Sequence, residues 1–207
     1  MEGAAPGGSI LFVCEGNVCR SAFAHVVLAH RLASLGIEVS SAGTGALLDS
    51  DLDPEARRLA RGLIGEVEVF RARQLTSDLI GAADLILTAT RWQRDKVAAL
   101  NPRALSRVFA LRDFAALLVQ WDAVQDGASG EASSLIAQLV QIARAQRGTA
   151  PILEAAEVDI GDPYRRGAAA FQRMQDEMLP SLERIEGALI ALKGIRPDPV
   201  GRQEEGP

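Results

Sequence analysis

Cysteine and histidine are nearly absent from this 207-residue chain, which carries two of each. The cysteines, Cys14 and Cys19, sit too close together to staple a fold usefully as a disulfide. The histidines, His25 and His30, fall in the helical pattern that follows. They do not complete the tetrahedral ligand set that zinc takes, so no metal and no cofactor is expected. Aromatic residues make up 4% of the chain against 48% hydrophobic residues overall, so the core must be built from Ala, Leu, Val and Ile. No apolar run approaches the length of a membrane span, and the N-terminus lacks the basic-then-apolar pattern of a signal sequence. A net charge of −5 provides no broad basic surface for nucleic acid. A cytoplasmic location is expected, where two cysteines read as reactive rather than structural. The length suits one domain.

What the chain does contain is concentrated in residues 10–21. Ile10, Leu11, Phe12 and Val13 form an apolar run of strand character that stops at Cys14. Glu15, Gly16, Asn17, Val18 and Cys19 make a short turn, and Arg20 and Ser21 open an alanine-rich helical stretch. In a loop between a buried strand and a helix N-terminus, backbone N–H groups converge on an anion, and the helix dipole favours negative charge there. A thiol at the start of such a loop shares that field as a thiolate, the nucleophilic form. Arg20 adds a planar fork suited to paired phosphate oxygens. Ser21 reads both as a helix cap and as a donor to Cys14. Asn17 reads as the residue that accepts an unusual backbone angle and ties the loop together through its side chain.

This string resembles the active-site loop of the low-molecular-weight protein tyrosine phosphatases. Asp162, Pro163 and Tyr164, late in the chain and ahead of a final helix, resemble that family's general-acid loop. Ser41, Ala42, Gly43 and Thr44, then Ala72, Arg73, Gln74 and Leu75, then residues 83–88 resemble further family segments in the expected order. The likeness covers roughly residues 9–112 and 158–192 and leaves out the stretch between.

Strand-like runs at 10–13, 37–41, 85–88 and 108–111 alternate with helical patterns at 21–35, 54–64, 77–82 and 91–100, which argues for βαβ units and a parallel sheet. A ligand site is then expected at the C-terminal end of the first strand, where Cys14 falls. The resemblance implies a single three-layer α/β domain. It would have a four-stranded parallel sheet, helices on both faces and a phosphate-binding loop after the first strand. Residues 1–8 read as a flexible lead-in, 9–195 as the domain and 196–207 as a disordered tail. Within the domain, 113–157 reads as a helical insertion. Phe114, Leu117, Leu118 and Trp121 fall at helical spacing, as do Leu135, Ile136, Leu139, Val140 and Ile142, with a turn-rich breaker at 126–130. Its simplest role is added core, with a lid or dimer surface as the alternative. Phe171, Met174, Met178, Leu182, Ile185 and Leu189 mark a core stripe on a long final helix.

The resemblance implies a phosphatase in which Cys14 attacks phosphorus, giving a phosphocysteine. Backbone N–H groups of Glu15, Gly16, Asn17, Val18, Cys19 and Arg20, with the Arg20 guanidinium, would hold the equatorial oxygens. Asp162 would protonate the leaving oxygen and then activate water, and Tyr164 would stack on a substrate ring. Asp159 is a nearby rival carboxylate without the following Pro. Gly-Asp-Pro is also a common turn starter, so Asp162 has a structural reading too. Cys19 reads either as a small apolar filler or, as the family implies, as a partner that protects Cys14 through a reversible disulfide. A Ser equivalent to Ser41 belongs to the family's loop network.

The chain departs from the family pattern at several positions. Phe70 stands where many relatives have a His supporting that network. Ala22 and His25 replace a common Pro and Glu, and both His25 and His30 read as polar helix residues. Glu15 places negative charge at the pocket mouth, and Arg165 stands where some relatives have a second aromatic. The expected substrate is a phosphotyrosine protein, with an opposing bacterial tyrosine kinase as the implied partner. Protein-arginine phosphatases are the sibling alternative; they carry Thr where this chain has Val18. A thiol-dependent arsenate reductase is a second sibling alternative; the self-contained version needs a downstream cysteine pair, and no cysteine follows Cys19. A catalytically weak phosphate-binding module is the non-enzymatic alternative, although Cys14, Arg20 and Asp162 are all present.

Overall fold

The computed structural model describes residues 7–119, 134–148 and 153–194. Trp121, the breaker at 126–130 and the tail at 196–207 lie outside the described residues. The first strand, β1 (Ser9–Cys14), is apolar on both faces, as a strand covered from both sides must be. It lies inside a four-stranded, all-parallel sheet of order β2-β1-β3-β4, with β2 at Glu38–Gly43, β3 at Leu85–Thr88 and β4 at Val108–Ala110. Ile10, Phe12 and Cys14 face the larger core, while Leu11 and Val13 face the smaller one.

On the larger face lie α1 (Arg20–Arg31), α2 (Pro54–Ile64), α5 (Leu111–Leu118), α6 (Leu135–Ala145) and the 25-residue α8 (Ala168–Leu192). The smaller face is covered by α3 (Ser77–Ala82) and α4 (Arg91–Leu100), through Ile80 and Val97. A short α7 (Ala155–Val158) precedes the Asp162 loop. Local chemistry sets several helix starts. Asp53 accepts from the Glu55 N–H ahead of α2, Thr76 caps α3, and Thr90 with Gln93 forms a capping box on α4. No described helix is long and apolar enough to cross a membrane.

The expected α/β architecture, with its single four-stranded parallel sheet, is the one observed. Three boundaries differ. Gly7 and Gly8, expected in the flexible lead-in, are buried: the Gly7 N–H donates to Gly36 O and its carbonyl accepts from Ile136 N–H. The first helix stops at Arg31, and Ala33–Leu35 continues as a 3-10 turn closed by Gly36 at φ 63°. Leu111, expected at the end of β4, opens α5 instead. The described part of the stretch read as an insertion contributes core. Ile136, Leu139, Val140, Ile142 and Ala143 of α6 join the larger cluster, and α6 packs on α5 and α8.

Gly43 fixes the spacing between the end of β2 and the loop after β1. It is the Cα partner of Cys14, and a Cβ there would collide with the Glu15 carbonyl and press on Ala46. Gly45, two residues on, has open space around it. Gly43→Ala is therefore expected to cost about 1–3 kcal/mol, a drop of several degrees in the thermal midpoint. Gly45→Ala should leave the midpoint nearly unchanged. Thermal unfolding of the two variants side by side checks this, and equal midpoints would count against the contact.

Candidate active site

The loop from Cys14 to Arg20 is held from outside by its carbonyl oxygens. Cys14 O accepts from Thr44 N–H (2.9 Å), Glu15 O from Gly45 N–H (3.1 Å), Gly16 O from Leu47 N–H (3.0 Å) and Val18 O from Asp53 N–H (2.9 Å). A peptide unit whose oxygen points outward turns its N–H inward. The backbone N–H groups of Glu15 to Arg20 make no hydrogen bond among the described residues. At the end of the loop α1 begins at Arg20 with no side-chain cap and no acidic residue in its first turn, so its positive end is open as well.

Asn17 bends the loop. It is fully buried with φ 55°, a left-handed angle that Asn tolerates better than most residues. Its Nδ2 donates to Ser21 Oγ and to Ser41 Oγ (2.9 Å each), and its Oδ1 accepts from Arg73 N–H (2.9 Å). Ser21 Oγ lies 2.9 Å from Cys14 Sγ. The Arg73 side chain closes the network by donating from Nε to Ser41 O (2.8 Å).

Arg20 is 4% exposed and spans to the second loop. One terminal nitrogen donates to Ile160 O (3.1 Å), and the other pairs with Asp162 Oδ2 at 2.9 Å. Its Nε is buried without a partner among the described residues. That loop is fastened to the sheet, because Ile160 N–H donates to Ala89 O just past β3 (3.0 Å). Cys14, Glu15, Gly16, Val18, Cys19 and Arg20 form one side of a cavity of about 210 Å³, and Gly45, Leu47, Asp162 and Tyr164 form the rest. The expected site residues thus come together. Asn17 and Ser21 lie behind the loop, where they shape it, rather than on the cavity wall.

The rival carboxylate is occupied elsewhere: Asp159 Oδ1 accepts from Arg91 N–H at the start of α4 (2.8 Å). Asp162 keeps its turn role too, since Oδ1 accepts from Tyr164 N–H (3.2 Å). Burial, then the Asp53 carboxylate and Cys14, push the Cys19 thiol well above the usual range. Held as a thiol at neutral pH, it is a poor attacker in disulfide formation and suits the filler reading.

His25 departs from its expected role as an ordinary polar helix residue. Its Nδ1 lies 3.2 Å from Ser41 Oγ, and its ring meets Phe70 edge-on with centroids 5.7 Å apart. Burial, with the Arg73 cation second, pulls its pKa from 6.5 to about 4. The available signal was spacing, because His25 sits one helical turn beyond Ser21 on the same face of α1. Arg73 was marked only as part of the 72–75 segment, and the rim residues Gly45 and Leu47 carried no comparable signal.

Residues 9–147 match the family model for low molecular weight phosphotyrosine protein phosphatase, so the match runs into the stretch where no likeness was expected. A probable low molecular weight protein-tyrosine-phosphatase, EpsP, of Ralstonia solanacearum is 40% identical over 103 residues, covering 50% of this chain and 70% of that protein. The low molecular weight protein-tyrosine-phosphatase Wzb of Salmonella typhi is 35% identical over 185 residues, covering 89% of this chain and 96% of that protein. Among solved structures, the YwlE arginine phosphatase of Geobacillus stearothermophilus aligns with a TM-score of 0.63 at 24% identity, covering 89% of this chain and 94% of that one; it carries the fold alone. The fold, the loop after β1 and these matches together show that the chain belongs to the low molecular weight phosphotyrosine protein phosphatase family.

Proposed function

We propose that the chain hydrolyses phosphotyrosine in proteins through a phosphocysteine intermediate. As a member of its family it is a phosphoric monoester hydrolase. The observation that carries the finer reading is the loop itself. Its carbonyls are tied outward, its N–H groups make no hydrogen bond among the described residues, and a cysteine and an arginine stand at its two ends.

In this reading Cys14 Sγ attacks phosphorus opposite the tyrosine oxygen. The three equatorial oxygens rest on the loop N–H groups and on Arg20, whose Nε, without a partner among the described residues, supplies a further buried donor. Asp162, on the facing wall, gives its proton to the departing phenolate oxygen. Its carboxylate then takes a proton from the water that attacks the phosphocysteine, and the Ser21 hydroxyl donates to the returning thiolate. Tyr164 offers a flat wall for the substrate ring. Glu15, exposed at the rim, sets a negative mouth. Residues 9–195 would act as one catalytic domain, and an opposing bacterial tyrosine kinase would supply the substrate.

The sibling reading, a protein-arginine phosphatase, differs at Val18. A branched apolar residue on the cavity wall suits an aromatic ring and has no group to engage a guanidinium. Initial rates on an aryl phosphate, a phosphotyrosine peptide, a phosphoserine peptide and phosphoarginine separate the two. Phosphotyrosine should lead, and a faster rate on phosphoarginine would overturn the substrate assignment.

Cys14→Ser should reduce turnover to below about 1% of wild type, because a serine hydroxyl is a far weaker nucleophile and leaving group at phosphorus than a cysteine sulfur. The variant should still bind inorganic phosphate, which calorimetry reads directly. Substantial turnover by it would exclude the covalent route. Asp162→Asn should cost about 10²–10⁴-fold with a poor leaving group such as phenolate. The cost should be much smaller when the leaving group departs as a stable anion. A uniform loss across a leaving-group series would remove Asp162 from the acid role.

A further inference from the structure

We infer that His25 is a positioning residue for the Cys14 nucleophile: its neutral imidazole takes the Ser41 hydrogen and so anchors the far end of a hydrogen-bond network that runs through Ser41, Asn17 and Ser21 to the sulfur. The inference deepens the reading of Cys14 as nucleophile and rests on it.

The direction of the chain follows from counting donors and acceptors. Arg73 N–H can only donate, so the Asn17 atom 2.9 Å from it is the amide oxygen. The two hydrogens on Asn17 Nδ2 are then directed to Ser21 Oγ and Ser41 Oγ, each at 2.9 Å. Each serine oxygen accepts, and each keeps one hydrogen to place. Ser21 places its hydrogen on Cys14 Sγ, 2.9 Å away. Ser41 is 2% exposed, so its hydrogen needs an acceptor inside the protein, and His25 Nδ1 stands at 3.2 Å.

That acceptor exists only while Nδ1 carries a lone pair. An imidazolium would bring a second donor onto Ser41 Oγ and leave the serine hydrogen without a place. The surroundings keep the ring neutral. It is half-buried, the Arg73 guanidinium is tied to Ser41 O at 2.8 Å, and its pKa lies near 4. The edge-on Phe70 ring holds the imidazole plane in place. The four side chains come from three parts of the fold: α1 for Ser21 and His25, β2 for Ser41, and the loop for Asn17. None of them except Ser21 reaches the sulfur. His25 therefore acts through its neighbours, on how firmly the Ser21 hydroxyl is aimed at Sγ.

Aim at the sulfur matters for forming and expelling the thiolate and little for holding phosphate, which the loop N–H groups and Arg20 do. The test compares His25→Leu with His25→Asn. Asn offers an oxygen at the Nδ1 position, and Leu has nearly the same shape without it. On an aryl phosphate, His25→Leu should lower kcat by about tenfold, with KM and the inhibition constant of inorganic phosphate within about twofold of wild type. Alkylation of Cys14 by iodoacetamide should slow in step. His25→Asn should recover to within about threefold of wild type, and adding His25→Leu to Ser41→Ala should cost no further activity. Should His25→Leu fail to fold, His25→Ala takes its place in the comparison. Wild-type kcat in the Leu variant would overturn the inference, and so would equal losses in the Leu and Asn variants, which would mark a packing role. Cys14→Ser is run alongside. If it turns over substrate, the nucleophile assignment itself fails; if it is inert while His25→Leu is unimpaired, only the role of His25 is lost.

Discussion

The outward anchoring of four loop carbonyls is the constraint on which the site depends. The donors for those bonds come from Thr44, Gly45, Leu47 and Asp53, all on the segment that leaves β2. That segment is in place because β2 pairs in parallel with β1 and brings Gly43 level with Cys14. A parallel neighbour continues past the edge of the sheet in the same direction, so its exit can run alongside the loop. An antiparallel neighbour would turn back on itself there. The sheet topology thus dictates which side of each loop peptide faces the cavity, and an anion-binding nest follows without any charged side chain.

Arg20 adds the charge and does a second job. Its guanidinium is buried, yet it is hydrogen-bonded to Ile160 O and paired with Asp162. A buried guanidinium left without partners would be strongly destabilising. Here the partners are drawn from the loop that carries the candidate acid. The two halves of the site, more than a hundred residues apart in sequence, are registered to each other by one planar group. The Ile160 to Ala89 bond then fixes that loop to the end of β3. Displacement of Asp162 relative to Cys14 would have to break a charge-assisted bond and a backbone bond together.

How much of this was legible in the sequence varies with the range of the interaction. The run from Ile10 to Val13, apolar on both faces, announces a central strand, and the helical patterns at 54–64, 77–82 and 91–100 are local in sequence. The helices at 54–64, 77–82 and 91–100 are therefore found where expected. Gly7 and Gly8 look like flexible linker because composition alone is read there. Their order comes from Gly36 and Ile136, which are distant in the chain. Leu111 is as apolar as a strand residue should be, yet it opens a helix that packs against α8. His25 fails for the same reason: a lone polar residue on a helix has no local mark of its partner, and Ser41 lies on another element.

His25 and Phe70 also show how a polar network can be kept while its parts are moved. The family pattern leads one to expect an imidazole at position 70, and Phe70 there suggests a weakened loop. The geometry shows the ring nitrogen arriving from α1 instead, with Phe70 packed against its edge. What Ser41 requires is an acceptor at hydrogen-bond distance in a dry place, and that requirement says nothing about which element provides it. Phe70 and His25 are then complementary. Phe70 supplies an apolar surface that a second polar group could not, and that surface helps keep His25 neutral and therefore able to accept.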